Sequence, residues 1–470
     1  MRQENIILDT DSYKASHWLQ YPPKTTSVFS YIESRGGRHD ETVFFGLQYY
    51  LKQYLEGSVV DEADVEEAEA FFKAHGEPFN KEGWLHVCKE HNGHLPLRIK
   101  AVAEGTVVPV LNALVTVENT CPHCFWVVSW FETMLLRVWY PITVATESRY
   151  IKSIIKRFLE ATSDDPESEI SFKLHDFGSR GVSSQESAAI GGAAHLVNFM
   201  GSDTVQGVVM ANCVYKSPMA AFSIPAAEHS TITSWGRENE AEAYRNMLRN
   251  FAKPGAIVAI VSDSYDIYNA CTTLWGGELR QEVIDSGAVV VIRPDSGCPA
   301  VIVKECLRLL DEKFGHTVNS KGFKVLNNVR VIQGDGINAK SIIEILEETI
   351  DIGYSATNIA FGMGGALLQQ HNRDTQKFAM KCSHIIADGK SIDVYKQPVS
   401  DPEKRSKKGR LDLVKFERYD SDGKPYDCYD TVQVPNAEYV HPSSALVTVF
   451  ENGVILKEYT LDEIRERAKL

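Results

Sequence analysis

Residues 256–266 read Ala-Ile-Val-Ala-Ile-Val-Ser-Asp-Ser-Tyr-Asp, and residues 288–297 read Ala-Val-Val-Val-Ile-Arg-Pro-Asp-Ser-Gly. Each is a short unbroken apolar run that stops at a polar loop rich in Asp or Gly. Such runs mark strands buried on both faces, as in a parallel sheet. The layout recurs on either side. Residues 172–174 lead into His175-Asp176-Phe177-Gly178, 329–332 into Gln333-Gly334-Asp335-Gly336, and 359–361 into Gly362-Met363-Gly364-Gly365. Residues 221–224 run toward Glu228-His229, and the apolar run 205–210 follows Gly201-Ser202-Asp203-Thr204. Helical patterns over 238–251, 301–314 and 340–348 lie between. Strands alternating with helices predict parallel βα units. Six or seven in a row predict an α/β chain with an irregular βα (TIM-like) barrel over 151–384, its strand-end polar residues sharing one mouth.

Outside this region the texture is shorter-stranded. Residues 27–35 alternate β-branched and aromatic side chains, 97–118 read as short strands, and 392–395, 411–416 and 445–450 repeat the pattern. A second, mostly β domain is expected from 1–150 plus 385–470. Residues 61–74 read as a solvated amphipathic helix. Cys121-Pro122-His123-Cys124 opens an aromatic stretch, 126–140, expected to be helical. A Cys-x-x-Cys between strand and helix fits a redox motif locally, but the chain has no thioredoxin-like layout, and no second Cys pair accompanies it to complete a zinc site.

The formal net charge of −14 over 470 residues argues against nucleic acid or an anionic membrane as the main partner. No apolar run approaches the roughly 20 residues that span a bilayer. The polar N-terminus predicts no signal peptide, and nine scattered cysteines fit a reducing, cytoplasmic location.

The mouth carries the chemistry. His229, between Glu228 and Ser230, can shuttle protons, accept a phosphoryl group, bind a metal or simply be a hydrogen-bonded structural histidine. The Gly334 and Gly364-Gly365 turns let backbone approach a phosphate, aided by the helix N-termini beyond them. Arg180, Arg293 and Arg373 offer fixed positive charge, Arg293 directly at a strand end. Asp203, Asp263, Asp295 and Asp335 can bind Mg²⁺, hold ribose hydroxyls, orient a histidine, read an amide or cap a helix. The basic run 404–410 is a solvated loop or a source of lysines for a polyphosphate. A barrel aldolase or metal hydrolase lacks its signature: no lysine ends a barrel strand, and no His-Glu-x-x-His occurs.

Asp11-Ser12-Tyr13-Lys14, His175 to Gly178, Arg180-Gly181-Val182-Ser183-Ser184-Gln185-Glu186, Pro225-Ala226-Ala227-Glu228-His229-Ser230, Ser262 to Asp266, Ile292 to Gly297, Gln333 to Gly336 and Arg405 to Arg410 together resemble the nicotinamide phosphoribosyltransferase family almost end to end. The resemblance implies a type II phosphoribosyltransferase fold and a homodimer with active sites at the interface. It implies transfer from phosphoribosyl pyrophosphate to nicotinamide, with Mg²⁺, and ATP as co-substrate. Carried over by motif, Phe177 and a partner's Tyr13 sandwich the pyridine ring, Arg293 lies against it, and Asp203 accepts from the carboxamide. Asp295 serves the ribose; Gly334, Asp335, Gly364 and Gly365 serve its phosphate; Arg180 and His229 meet the pyrophosphate. Arg35, Arg373, Lys381, Lys396 and Lys404 correspond to further phosphate positions. His229 resembles the histidine phosphorylated by ATP, with Asp263 fixing its tautomer. Cys121 lies outside the family pattern. Nicotinate or quinolinate transfer, and a non-catalytic binding protein on the same fold, are the competing readings; Asp203 argues against the first two.

Overall fold

The computed structural model describes residues 5–400 and 405–470. The chain divides into two compact units. One takes the N-terminal part through Thr146 together with His371–Lys469; the other is Glu147–Gln370.

The second unit is the α/β unit. Its sheet has six parallel strands: β1 (Leu174–Asp176), β2 (Gly201–Ser202), β3 (Ile257–Val261), β4 (Val289–Arg293), β5 (Val329–Gln333) and β6 (Ile359–Met363), in the order β2-β1-β6-β5-β4-β3. The register pairs Asp176 with Ser202, Met363 with Asp176, Gln333 with Phe361 and Val261 with Arg293. All strands therefore end at one edge. Their apolar runs are continuous because both faces are covered: Val258, Ile260, Val290 and Ile292 are fully buried, while Ala259, Val291 and Ile332 on the opposite face form their own core cluster with Phe177, Ile224 and Ala360 packed against it.

The TIM-like barrel expectation holds only in coarser form, as a parallel α/β sheet. The run 221–224 is no regular strand. Its Phe222 touches the sheet through an isolated parallel bridge to Gly201, and Ala226 just beyond it through another to Ala259, one at each edge strand. The run 205–210 is likewise no strand: Val205–Val214 is a helix, and only Gly201–Ser202 before it pairs. This helix packs on Gln185–His195 with Gly207 against Gly192, where a Cβ on Gly207 would lie 2.6 Å from the Gly192 Cα. Its exposed face carries Val205 and Val209, so no polar stripe marks the helical period.

The first unit holds a seven-stranded antiparallel sheet ordered Lys390–Asp393, Phe378–Ala387, Thr25–Ser34, Ala113–Asn119, Leu97–Val102, Leu446–Glu451, Val454–Ile455. Because Phe378–Ala387 pairs along Thr25–Ser34, the C-terminal return begins at His371 and not near 385. A long hairpin, Arg410–Tyr419 with Pro425–Val434, adds Leu411 to a core of Phe29, Tyr31 and Ala113. The stretch 126–140 is not one helix. It breaks into Val127–Trp130 and Glu132–Leu136, and Trp139 then starts a new helix through Thr162, with Pro141 in its first turn where no N–H is required. Among the described residues, no helix is long and apolar enough to cross a membrane.

Candidate active site

The strand ends of the parallel sheet line a cleft of about 730 Å³. Nine residues named from the sequence face it: Phe177, Arg180, Asp203, His229, Arg293, Asp295, Gly334, Asp335 and Gly364. They lie far apart in sequence and meet because every parallel strand delivers its C-terminal loop to the same edge.

His229 opens the short helix His229–Thr233, behind the capping residue Glu228. Its Nε2 lies 3.0 Å from Asp263 Oδ1, and its Nδ1 4.0 Å from Asp295 Oδ2. Asp263 is buried beneath the half-exposed imidazole. Burial raises the pKa of this carboxyl, but hydrogen bonds from Ser296 Oγ, His229 and the Asp295 N–H outweigh it and hold the group below the usual carboxylate range. Asp263 is therefore an anionic acceptor, and the proton of a neutral His229 sits on Nε2.

Phe177 follows β1 and is set by backbone: its N–H donates to Met363 O at 3.0 Å. The ring lies on β6. A Cβ added at Gly362 would come within 1.9 Å of it, so glycine there is a condition of the Phe177 pose. Asp203 is exposed to the cleft, accepts from Ser223 Oγ and donates its own N–H to Asp176 O at 3.0 Å. Arg293 is mostly buried, 3.7 Å from Asp295 Oδ2, and its Nε has no hydrogen-bond partner in the protein. The guanidinium lines the cleft, and its buried Nε–H is left unused by the protein.

The glycine turns differ from their expected use. The helix after Gly334-Asp335-Gly336 starts at Ala339, and Asn338 already caps it by accepting from the N–H groups of Lys340 and Ser341. Two N–H groups of that terminus are thus already used within the protein. At the other corner Gly364 caps a single helical turn, Gly365–Leu368, and the space beside Gly365 is open.

The remaining predicted residues belong to the antiparallel unit. Tyr13 is exposed, its ring 5.1 Å from His17. Lys381 pairs in register with Tyr31, one strand in from Arg35. Burial holds the Lys381 ammonium below its ordinary pKa; Glu132 works against this, while Arg35, Lys396 and Arg373 lower it further. Those four cations thus form one electropositive group. Lys404 lies outside the described residues.

Three contributors were not singled out in the sequence. Ser223 and Ser296 orient Asp203 and Asp263. Asp176 is fully buried beneath the Phe177 turn and accepts from the Gly178 N–H at 2.7 Å. Burial pushes its carboxyl up to about 6, against that hydrogen bond. For Asp176 and Ser296 the signal available was their place at strand ends; Ser223 carries none.

Residues 172–443 match the nicotinate phosphoribosyltransferase (NAPRTase) family, and residues 5–99 match the N-terminal domain of nicotinamide phosphoribosyltransferase. A nicotinamide phosphoribosyltransferase of Xanthomonas campestris pv. campestris is 58% identical over 468 residues, covering 99% of this chain and 98% of the relative. The chain belongs to the nicotinamide phosphoribosyltransferase family. Another relative of that name, from Acinetobacter baylyi, is 33% identical over 98% of this chain and 97% of its own. Two solved structures share the family fold at 17% identity each. One is the nicotinate-nucleotide pyrophosphorylase of Pyrococcus furiosus, with a TM-score of 0.61 over 100% of this chain and 96% of that one. The other is human nicotinic acid phosphoribosyltransferase, with 0.57 over 98% and 92%.

Proposed function

We propose that this chain transfers the phosphoribosyl group of phosphoribosyl pyrophosphate to nicotinamide, giving nicotinamide mononucleotide and pyrophosphate for NAD salvage. The observation that carries the choice of base is Asp203, a carboxylate oriented by Ser223 in the cleft that also holds Phe177 and Arg293. An anionic acceptor pairs with a carboxamide N–H₂ and repels the carboxylates of nicotinate and quinolinate.

Phe177 stacks the ring, and Arg293 lies against it. The bond from ribose C1 to pyrophosphate oxygen breaks, its electron pair leaves with pyrophosphate, and the ring nitrogen closes on C1. The protein's work is positioning and charge neutralisation. Arg180 faces the leaving group, Asp295 the ribose hydroxyls, and Gly334, Asp335, Gly364 and Gly365 the ribose phosphate.

The cleft of one chain contains more carboxylates than cations, which is a poor host for pyrophosphate. Two sources of positive charge resolve this reading. One is the Arg35, Arg373, Lys381 and Lys396 group, joined by Lys404, supplied across a homodimer together with the stacking ring of Tyr13. The other is Mg²⁺. Among the described residues no three carboxylates converge as a cage, so Asp295 or Asp335 would share the ion with phosphate oxygens. When bound it neutralises charge on the leaving group.

ATP enters at His229. With Nε2–H donating to Asp263, the lone pair is on Nδ1. It attacks the γ-phosphorus, a P–N bond forms, and ADP leaves. In this reading the Phe222–Ala226 segment closes the sheet into an irregular barrel, and the enzyme works in the cytoplasm.

Offering nicotinamide, nicotinate and quinolinate together with phosphoribosyl pyrophosphate tests the assignment. Nicotinamide mononucleotide should dominate the products. Predominant nicotinate mononucleotide would move the chain to the sister activity, and no product at all would favour a binding protein on the same fold.

A further inference from the structure

The Cys-x-x-Cys at 121–124 has no place in the cleft, and its surroundings explain it differently from either reading open to the sequence. Lys81–Glu90 is a helix capped at its start by Asn80, whose side chain accepts from Gly83 N–H at 3.1 Å. His86 lies on its last turns and His91 is its C-cap. Asn92 and Gly93, both at positive φ (51° and 76°), then reverse the chain, and His91 O accepts from His94 N–H at 2.9 Å. Cys121 follows the strand Ala113–Asn119, and Asn119 Nδ2 fixes it by donating to Cys121 O at 2.8 Å. Pro122 starts a tight turn in which Cys124 N–H donates back to Cys121 O at 3.0 Å.

These two turns aim four donors at one point. The Sγ atoms of Cys121 and Cys124 and one ring nitrogen each of His86 and His91 all lie within 4.8 Å of one another. The Cys121 Sγ to His86 Nε2 distance is 3.5 Å. Zinc bonds of about 2.3 Å to sulfur and about 2.0–2.1 Å to nitrogen give a tetrahedron with edges of about 3.3–3.8 Å. His91 Nε2 is buried and has no hydrogen-bond partner in the protein. Both cysteines are buried and unpaired by disulfide. Trp84 and Trp126, fully buried with ring centroids 4.8 Å apart, pack together from the same helix and from just beyond the same turn.

We propose that His86, His91, Cys121 and Cys124 form a structural zinc site. The spacing is that of a Cys₂His₂ set, His-x₄-His before Cys-x₂-Cys, and the missing second cysteine pair is supplied by histidines. Two thiolates and two imidazoles in tetrahedral reach select zinc over the hard cations. Binding replaces the two thiol protons, and the four closed positions leave none for a substrate. A redox dithiol would need neither histidine. The ion would tie the Lys81–Glu90 helix to the end of the Ala113–Asn119 strand, inside the antiparallel unit, whereas the strand-end cleft belongs to the α/β unit.

The test is elemental analysis of the full-length protein purified without chelator, followed by cobalt substitution. Stoichiometric zinc is expected, and the cobalt protein should show the intense d–d and thiolate charge-transfer bands of a tetrahedral site. Cys121→Ser and His91→Ala should each lose the metal and lower the unfolding temperature. Should Cys121→Ser fail to fold, zinc content and cobalt spectra of the wild type alone still decide. Thiol-reduced wild type that holds no stoichiometric zinc and takes up neither Zn²⁺ nor Co²⁺ would overturn the site. So would His86→Ala and His91→Ala variants that both keep full zinc and unaltered cobalt bands.

Discussion

The strand-end cleft and the His86–His91–Cys121–Cys124 cluster both gather polar side chains from distant parts of the chain, but under opposite degrees of enclosure. In the cleft His229 is half-exposed, Arg180 and Asp203 are open, and Arg293 keeps an N–H unused. Their orientation comes from supporting groups, Asp263 under His229 and Ser223 beside Asp203. In the cluster the two thiols are buried and the donors face one another across a space the size of an ion. Groups held at the surface with spare hydrogen-bonding capacity suit ligands that arrive and leave. Donors that converge inward suit a ligand that stays and adds to stability. Substitutions in the cleft should therefore move chemistry more than stability, and substitutions in the cluster the reverse.

The largest effect is expected at His229. His229→Ala removes the nitrogen proposed to accept the phosphoryl group, so ATP hydrolysis should vanish and ATP should cease to accelerate transfer. Thermal unfolding should stay near the wild type, because the side chain is half-exposed and its contact with Asp263 is partly solvated. Persistent ATP hydrolysis would place the acceptor elsewhere. A smaller effect is expected at Asp203. Asp203→Asn keeps the size and the Ser223 contact but removes the charge. The preference for nicotinamide over nicotinate should shrink by about ten- to a hundredfold, read as a ratio of kcat/KM values. An unchanged ratio would show that Asp203 does not read the carboxamide.

The two regions also differ in how far the sequence foretells them. The parallel strands are legible because a strand covered on both faces must be apolar throughout, as 257–261 and 289–292 are, and the polar residues that follow must then lie at one edge. The same rule misleads at Val205–Val214. That helix carries Val205 and Val209 on its exposed face, and an apolar run without a polar stripe has no visible period. Supporting residues are harder still: nothing in 221–224 marks Ser223 as the partner of a residue 20 positions earlier. The cluster is the extreme case. Cys121 and Cys124 are visible as a pair, but their complement is a histidine within a helix and a second at its C-cap, and no local spacing ties these to the cysteines. Local spacing names candidates, and long-range packing decides which of them meet.

Asp176 breaks the simple division, and it gives the smallest and most specific test of it. It belongs to the cleft by position, one residue before Phe177, but it is buried as deeply as the cysteines. Burial raises its pKa from 3.8 to about 6. A group whose folded pKa is raised holds its proton more tightly in the folded state, so for a carboxyl folding is favoured at low pH and loses stability as pH climbs from about 4 to about 6. The loss is on the order of 3 kcal/mol, because a tenfold change in proton affinity is worth about 1.36 kcal/mol. Asp176→Asn carries no charge to bury, and its amide oxygen can still accept from Gly178 N–H. Urea unfolding should then show the variant more stable than the wild type at neutral pH and little different near pH 4. Equal pH dependence in the two proteins would mean that the buried carboxyl is not the source. A variant that gains stability but loses affinity for nicotinamide would show that the Phe177 turn needs its charge, at a cost in stability, to hold the ring.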